Sequence, residues 1–241
     1  WHNTLRCLAA IAWMVALAPF SSPAPETQST NRTAAAPEPP TQRAERRYAE
    51  TRKRLQQQPG DPAAAWQFGR ARFDRAESAA TSSERARYAQ EGITICRQAL
   101  QARTNLAPAR YYLALNLGQL ARTKLLGALK LVPEMEKELK TAIQCDPKFF
   151  YAAPHRSLGV LYREAPGWPT SMGNRSKARF HLPKAVELCP ESPDNWLPLL
   201  ESFQHWKERG QVQTRLGPAE EAMRKARSEL TGERWADDWQ D

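Results

Sequence analysis

Apolar and small residues recur along residues 61–230 at the three- and four-residue spacing of helices that bury one side. Leu158, Gly159 and Tyr162 are followed by Ala178, Leu182 and Ala185, and then by Pro190. The landmarks return 41 residues later as Leu199, Leu200 and Phe203, then Ala219, Met223 and Ala226. Upstream, Leu117 and Gly118 precede Met135, Leu139, Ala142 and Pro147, and Phe68 and Gly69 precede Ala89, Ile93 and Cys96. This pattern predicts helices at 62–77 and 84–102, 107 to about 129 and 133–145, 152–164 and 175–188, and 193–209 and 217–230. Asp61-Pro62 reads as a cap followed by a first-turn proline, and Pro133, Pro193 and Pro218 also fall where a first-turn proline is tolerated. No segment alternates apolar and polar residues between hairpin turns, so the predicted class is all-α.

A recurring helix pair implies a stacked array. Gly69, Gly118 and Gly159 on first helices, with Ala89, Ala142, Ala178, Ala185, Ala219 and Ala226 on second helices, suit positions where two helices approach closely. One pair cannot cover its own apolar face, whereas four stacked pairs share a continuous core and leave curved surfaces exposed. Such arrays bind partners more often than they perform chemistry.

These landmarks resemble the tetratricopeptide repeat family, whose pattern is W-x2-L-G-x2-Y, then A-x3-F, x2-A and a proline. The third unit matches through Leu158, Gly159, Tyr162, Ala178, Leu182, Ala185 and Pro190, and the fourth adds Trp196 with Leu200 in place of glycine. The resemblance implies a solenoid of about four helix-turn-helix repeats whose first helices line a concave face. It would place Trp66, Arg70, Tyr112, Gln119, Arg122, Arg156, Arg163, Glu201 and His205 on that face. From the Leu158 and Leu199 landmarks to the first small residue of the second helix is 20 residues, longer than the family pattern. The excess is expected between the two helices of a pair, as in the Pro/Gly-broken segment 165–173. An exported array with lengthened inter-helix segments is similar to the T-component of TRAP transporters. That likeness implies binding of a solute-binding protein or a small apolar ligand.

The remainder of the chain divides by composition. Residues 1–24 resemble a secretory leader, with Arg6 before the apolar run 7–18, too short to span a bilayer comfortably. Export to a periplasm or cell envelope is the expectation, with retention as an uncleaved anchor as the alternative. Residues 25–42 read as a disordered Pro/Ala-rich linker, 43–60 as a charged leading helix, 61–230 as the repeat domain and 231–241 as a tail. The 241 residues carry a formal charge of +9, about half of it in 43–54. Tyr48 is the only aromatic within that basic run, which is too narrow for a nucleic-acid reader and reads as a solvated helix. Cys96, Cys145 and Cys189 read as buried thiols and not as a disulfide framework.

Candidate chemistry is sparse. His155, His181 and His205 lack metal-ligand spacing, and there is no phosphate-binding glycine loop, GxSxG or HExxH run. Glu134, Glu136 and Glu138 read as solubilising surface carboxylates. No cofactor, metal or catalytic residue is expected. Trp168, on the rigid 166–169 segment, is either an exposed partner anchor or an indole folded back over the repeat edge. The sequence thus predicts a non-catalytic scaffold for a protein or peptide partner, held by arginines and aromatics on the concave face. A transporter accessory is the alternative.

Overall fold

The computed structural model describes residues 40–124 and 127–229. The expected leader, most of the linker and the expected tail lie outside the described residues. Nine α-helices are present among the described residues: α1 Pro40–Gln57, α2 Pro62–Glu77, α3 Ser82–Ala102, α4 Ala107–Arg122, α5 Val132–Cys145, α6 Phe149–Glu164, α7 Arg175–Leu188, α8 Pro193–His205 and α9 Arg209–Glu229. A short 3-10 helix, Ala128–Lys130, precedes α5. The chain is an all-α stack of helix pairs.

Each helix packs on its neighbours in the chain, and α2 also touches α4, α4 touches α6, and α6 touches α8. Contact between successive pairs therefore runs from each second helix to the next first helix and also directly between first helices, which form the inner side of the stack. One large core joins α2 to α7 through Ile93, Tyr112, Leu117, Met135, Leu139, Leu158 and Tyr162. A second cluster of Val160, Leu182, Leu199 and Phe203 continues it into α8. The small residues set how closely helices cross. A β-carbon on Gly69 would lie 2.4 Å from the Cys96 sulfur, and one on Gly159 would lie 2.6 Å from the Leu182 side chain and 3.1 Å from its backbone nitrogen.

Three local features differ from the sequence-based expectations. First, α6 opens with Phe150, Tyr151 and Ala152 in left-handed conformation, at φ 47°, 55° and 58°. Right-handed helix begins beyond them, so Pro154 falls in its first turn, where no backbone donor is needed. Second, α4 ends at Arg122, well before the expected 129. Third, the excess residues of the fourth unit do not form a loop. The chain turns at Trp206–Glu208 with Lys207 at φ 60°, and α9 then runs through Pro218 without a break. Pro218 therefore lies inside a helix and not at its first turn. The first half of α9 is mostly exposed, so the carbonyl that Pro218 leaves without a helical donor is open to water.

The charges of α1 are used in packing. Arg47 pairs with Asp74 at 2.7 Å, Arg75 with Glu45 at 2.7 Å, and Arg43 is buried. The basic run is thus in part a fastening of α1 to α2, which corrects its reading as a solvated face. The three carboxylates of α5 are likewise not surface decoration. Glu134 pairs with Arg97 of α3, Glu136 accepts from the Tyr162 hydroxyl of α6, and buried Glu138 pairs with Arg110 of α4 at 2.6 Å. Positions i and i+4 share a helix face while i+2 lies across from them, so Glu134 and Glu138 turn toward α3 and α4 and Glu136 turns toward α6.

Candidate functional site

The ten residues expected to meet a partner divide into three groups. The first is buried in the stack. Tyr112, Gln119 and Arg156 are 4%, 0% and 6% exposed, and the side chain of Arg163 is 4% exposed. Arg156 donates to Asn195 at 2.8 Å and lies 3.4 Å from Asp194, while Arg163 donates to the Pro198 carbonyl at 3.1 Å and Ser202 at 3.0 Å. Glu201 faces Arg163 at 3.4 Å; burial raises its carboxyl above the ordinary range and Arg163 opposes that rise. Arg156, Arg163 and Glu201 tie α6 to α8 and Tyr112 packs on Trp66 and Phe73 of α2, while Gln119 is buried with its oxygen accepting from Arg122 of its own helix. They are not offered to a partner, because desolvated charges and rings in a packed stack take their partners from the neighbouring repeat.

The second group forms an aromatic and ionic surface at the α2 end of the inner side. Trp66 is half-buried and stacks on Tyr112 with centroids 6.0 Å apart and planes 7° apart. The Arg70 guanidinium lies 5.8 Å from the rings of both Tyr112 and Phe150. About two helical turns further along α2 stands Glu77, whose side chain keeps solvent contact although protein surrounds it on most sides. That enclosure and the Asp74 carboxylate push its carboxyl upward, while Arg122 and Arg85 pull it down. Arg122 also donates to the Gln119 side-chain oxygen at 3.3 Å.

Trp168 and His205 form the third group, and both are exposed. His205 ends α8 and meets none of the other nine through a hydrogen bond, ion pair or ring contact. Trp168 is 89% exposed, the most open large apolar side chain among the described residues. Its loop, residues 165–174, is closed at the neck: Gly173 donates to the Pro166 carbonyl at 2.7 Å and Asn174 to the Tyr162 carbonyl at 2.9 Å. Thr170 and Ser171 donate back to the Gly167 carbonyl at 3.1 and 3.2 Å, and Met172 packs into the main core. A β-carbon at Gly173 would fall 1.9 Å from the Ala165 carbonyl oxygen, so only glycine closes this neck. The loop presents its indole to solvent; the alternative of an indole folded back over the repeat edge is overturned.

One cluster escaped the sequence reading. His155 of α6 and His181 of α7 meet Nδ1 to Nδ1 at 3.0 Å, with Tyr162 stacked against His181. One ring must donate and the other accept, so the pair is held with at least one ring neutral. Burial lowers both below the ordinary histidine value, and His181, facing His155 as well, is pushed down to about 4. No group of three or more potential metal ligands occurs among the described residues. Cys96, Cys145 and Cys189 are free thiols, and burial pushes that of Cys96 up to about 12.

The family model described as regulator of microtubule dynamics protein 1-3 matches residues 38–165, just over half of the chain. The chain belongs to this family. The match runs from the start of α1 to the end of α6, so it contains the Trp66–Tyr112 surface and stops three residues before Trp168. Helices α7 to α9 continue the same stack beyond it. No curated protein matches the chain.

Proposed function

We propose that this protein is a non-catalytic interaction scaffold that grips a protein partner through the Trp168 loop, with the half-buried Trp66 surface as a second contact. The observation that carries this reading is Trp168 itself, open to solvent on a neck that its own hydrogen bonds and Gly173 hold closed. An indole displayed on a pre-ordered loop gains its burial on binding without a large ordering cost, which is how interface anchors act. The formal charge of +9 favours a partner with an acidic surface. The family's description as regulators of microtubule dynamics makes polymerised tubulin the first partner to try.

The test is co-sedimentation of the full chain with polymerised tubulin at two salt concentrations. Wild type should pellet with the polymer, less at high salt, and Trp168→Ala should weaken binding roughly tenfold or more with its helical content unchanged. Pelleting of the variant equal to wild type removes the loop as anchor; a wild type left in the supernatant removes the partner. The apolar run at 7–18 supports a separate proposal about location, an N-terminal leader. Contact with microtubules is compatible with a retained anchor and not with export, and fractionation of the full chain distinguishes the two.

A further inference from the structure

Most buried or half-buried arginines of α1 to α6 meet a carboxylate, as Arg47 meets Asp74, Arg75 meets Glu45, Arg110 meets Glu138 and Arg156 meets Asp194. Arg85 and Arg122, both half-buried, do not. Arg85, in the first turn of α3, donates from Nε to the Ala76 carbonyl at 3.1 Å and from Nη2 to the Ala79 carbonyl at 3.4 Å. Arg122, at the end of α4, donates from Nη1 to the Gln119 side-chain oxygen at 3.3 Å. No carboxylate among the described residues contacts either guanidinium, and each keeps N–H groups beyond these bonds. Gln119 shows what holding Arg122 costs. Its amide has no exposed surface, and turning the oxygen to Arg122 leaves the nitrogen without a partner. A buried donor in that state is destabilising and uncommon in folded proteins, so the fixed position of Arg122 needs a reason.

Glu77, the last residue of α2, is the carboxyl that feels both arginines, yet neither reaches it. Enclosure and the Asp74 carboxylate push it up to about 8, so near neutral pH it is largely uncharged. The other carboxylates at hand are engaged, Asp74 with Arg47 at 2.7 Å and Glu84 with the Thr81 hydroxyl at 3.1 Å. Burial and the neighbouring Arg85 press the Arg122 guanidinium below its ordinary range, and Glu77 opposes them. Two neighbouring cations are thus pinned here by neutral oxygens. We propose that Arg85 and Arg122 form a binding site for an oxyanion, a carboxylate or a phosphate group, whose oxygens accept from the N–H groups each guanidinium has left over. Planar guanidinium forks suit such a group through paired N–H···O bonds. Half-burial lessens the screening of those bonds, and the solvent contact of Glu77 keeps the site open to entry. Donors already fixed on α3 and α4 need little ordering when the anion arrives. An ionised Glu77 competes for the same arginines, so the site weakens as pH rises through about 8. It goes beyond the scaffold reading and stands whether or not Trp168 is an anchor.

The experiment titrates the full chain at constant ionic strength with inorganic phosphate and, separately, with a glutamate-rich peptide. Calorimetry gives the affinity, and NMR of backbone amides and arginine Nε–H groups at pH 7 gives the location. At least one probe should saturate, with shifts at Arg85, Arg122 and residues 76–79. Arg122→Gln should weaken binding of that probe about tenfold or more with its helical content unchanged. Glu77→Gln should bind as wild type does at pH 7 and hold its affinity better than wild type, by several-fold, at pH 9. A tighter grip on the peptide assigns the site to a partner's carboxylate, and a tighter grip on phosphate assigns it to a free phosphate. Shifts that grow without saturation for both probes would overturn the proposal. So would an Arg122→Gln chain that binds as wild type does, or the same change of affinity between pH 7 and pH 9 in wild type and Glu77→Gln.

Discussion

Asn195 has no exposed surface, and its amide nitrogen faces the carbonyls of Tyr151, Ala185 and Cys189 at 3.0, 3.1 and 3.0 Å while its oxygen accepts from Arg156. Four separate backbone or charged groups from α6 and from the end of α7 thus converge on one side chain on the first turn of α8, the three carbonyls sharing its two amide hydrogens. One of them, the Tyr151 carbonyl, belongs to the left-handed turn, a conformation that costs about 1–2 kcal/mol per residue. Leucine at this position keeps the volume and removes the hydrogen bonds. Asn195→Leu should lower stability by about 2–3 kcal/mol in chemical denaturation, since buried carbonyls and a guanidinium lose their partner. The histidine pair gives a pH-dependent counterpart. Both rings are held below the ordinary value, so between about 4 and 6.5 the folded chain binds fewer protons than the unfolded chain. The stability held by the neutral pair is therefore full above pH 6.5 and lost as pH falls through about 4. Lys184, Lys140 and Lys177 add to the strain of a charged ring, while Glu187 and Glu136 relieve it. Replacing His181 by phenylalanine should flatten this acid limb, by on the order of 1–2 kcal/mol between pH 7 and pH 4.5, discounted because His181 is partly open to solvent. An unchanged pH profile in thermal melts would remove the pair as its source.

Between elements, the decisive contacts are close crossings of small residues. Gly159 lets α6 lie against α7 so closely that an added methyl meets both the Leu182 side chain and its backbone nitrogen. A side chain alone could rotate away; a backbone cannot, so α7 must shift. Gly159→Ala should cost about 1–3 kcal/mol, seen as a fall of roughly 2–4 °C in Tm for each kcal/mol. This is also why the helix pairs were legible in the sequence. A close crossing demands glycine or alanine at a fixed helical phase, and that demand leaves Gly69, Gly159, Ala178 and Ala185 visible at regular spacing. The inner surface left no comparable trace. Arg156 reaches Asn195 39 residues away, Arg163 reaches Ser202 39 away, and His155 reaches His181 26 away. Periodicity shows which face of a helix a residue occupies, but not whether an arginine on that face meets water or the next helix. The distances that decide it depend on the superhelical pitch, which short-range spacing does not encode. The exposure of Trp168 was equally undecided, because it depends on whether the 165–174 loop closes beneath the indole or over it.

At the scale of the whole molecule, the stack is unequal from end to end. Helix α4 is buried along nearly its whole length, whereas α9 buries only Ala219, Ala222 and Ala226. In a quasi-one-dimensional array each unit is stabilised chiefly by its neighbours, so a thinly packed end opens without the middle. The Trp206–Glu208 turn and the first half of α9 carry the exposed Lys207 and Arg209 and the partly exposed Arg215, and there Trp206 and Val212 alone add to the second core cluster. Brief digestion under native conditions should therefore cut first at these three residues, releasing α9 while α2 to α7 persist as one resistant fragment on mass spectrometry. Cleavage depends on how often a segment opens when opening and closing are fast. The order of cuts therefore follows local stability and not merely the number of basic residues, which α1 and α3 also contain in quantity. If sites in α3 to α6 were cut as early as Arg209, the chain would open as a single cooperative unit, and the graded packing would have no thermodynamic consequence. If the expected order holds, the stable support runs past the family match through α7, and Trp168, on the loop between α6 and α7, stands within that support and away from the end that opens.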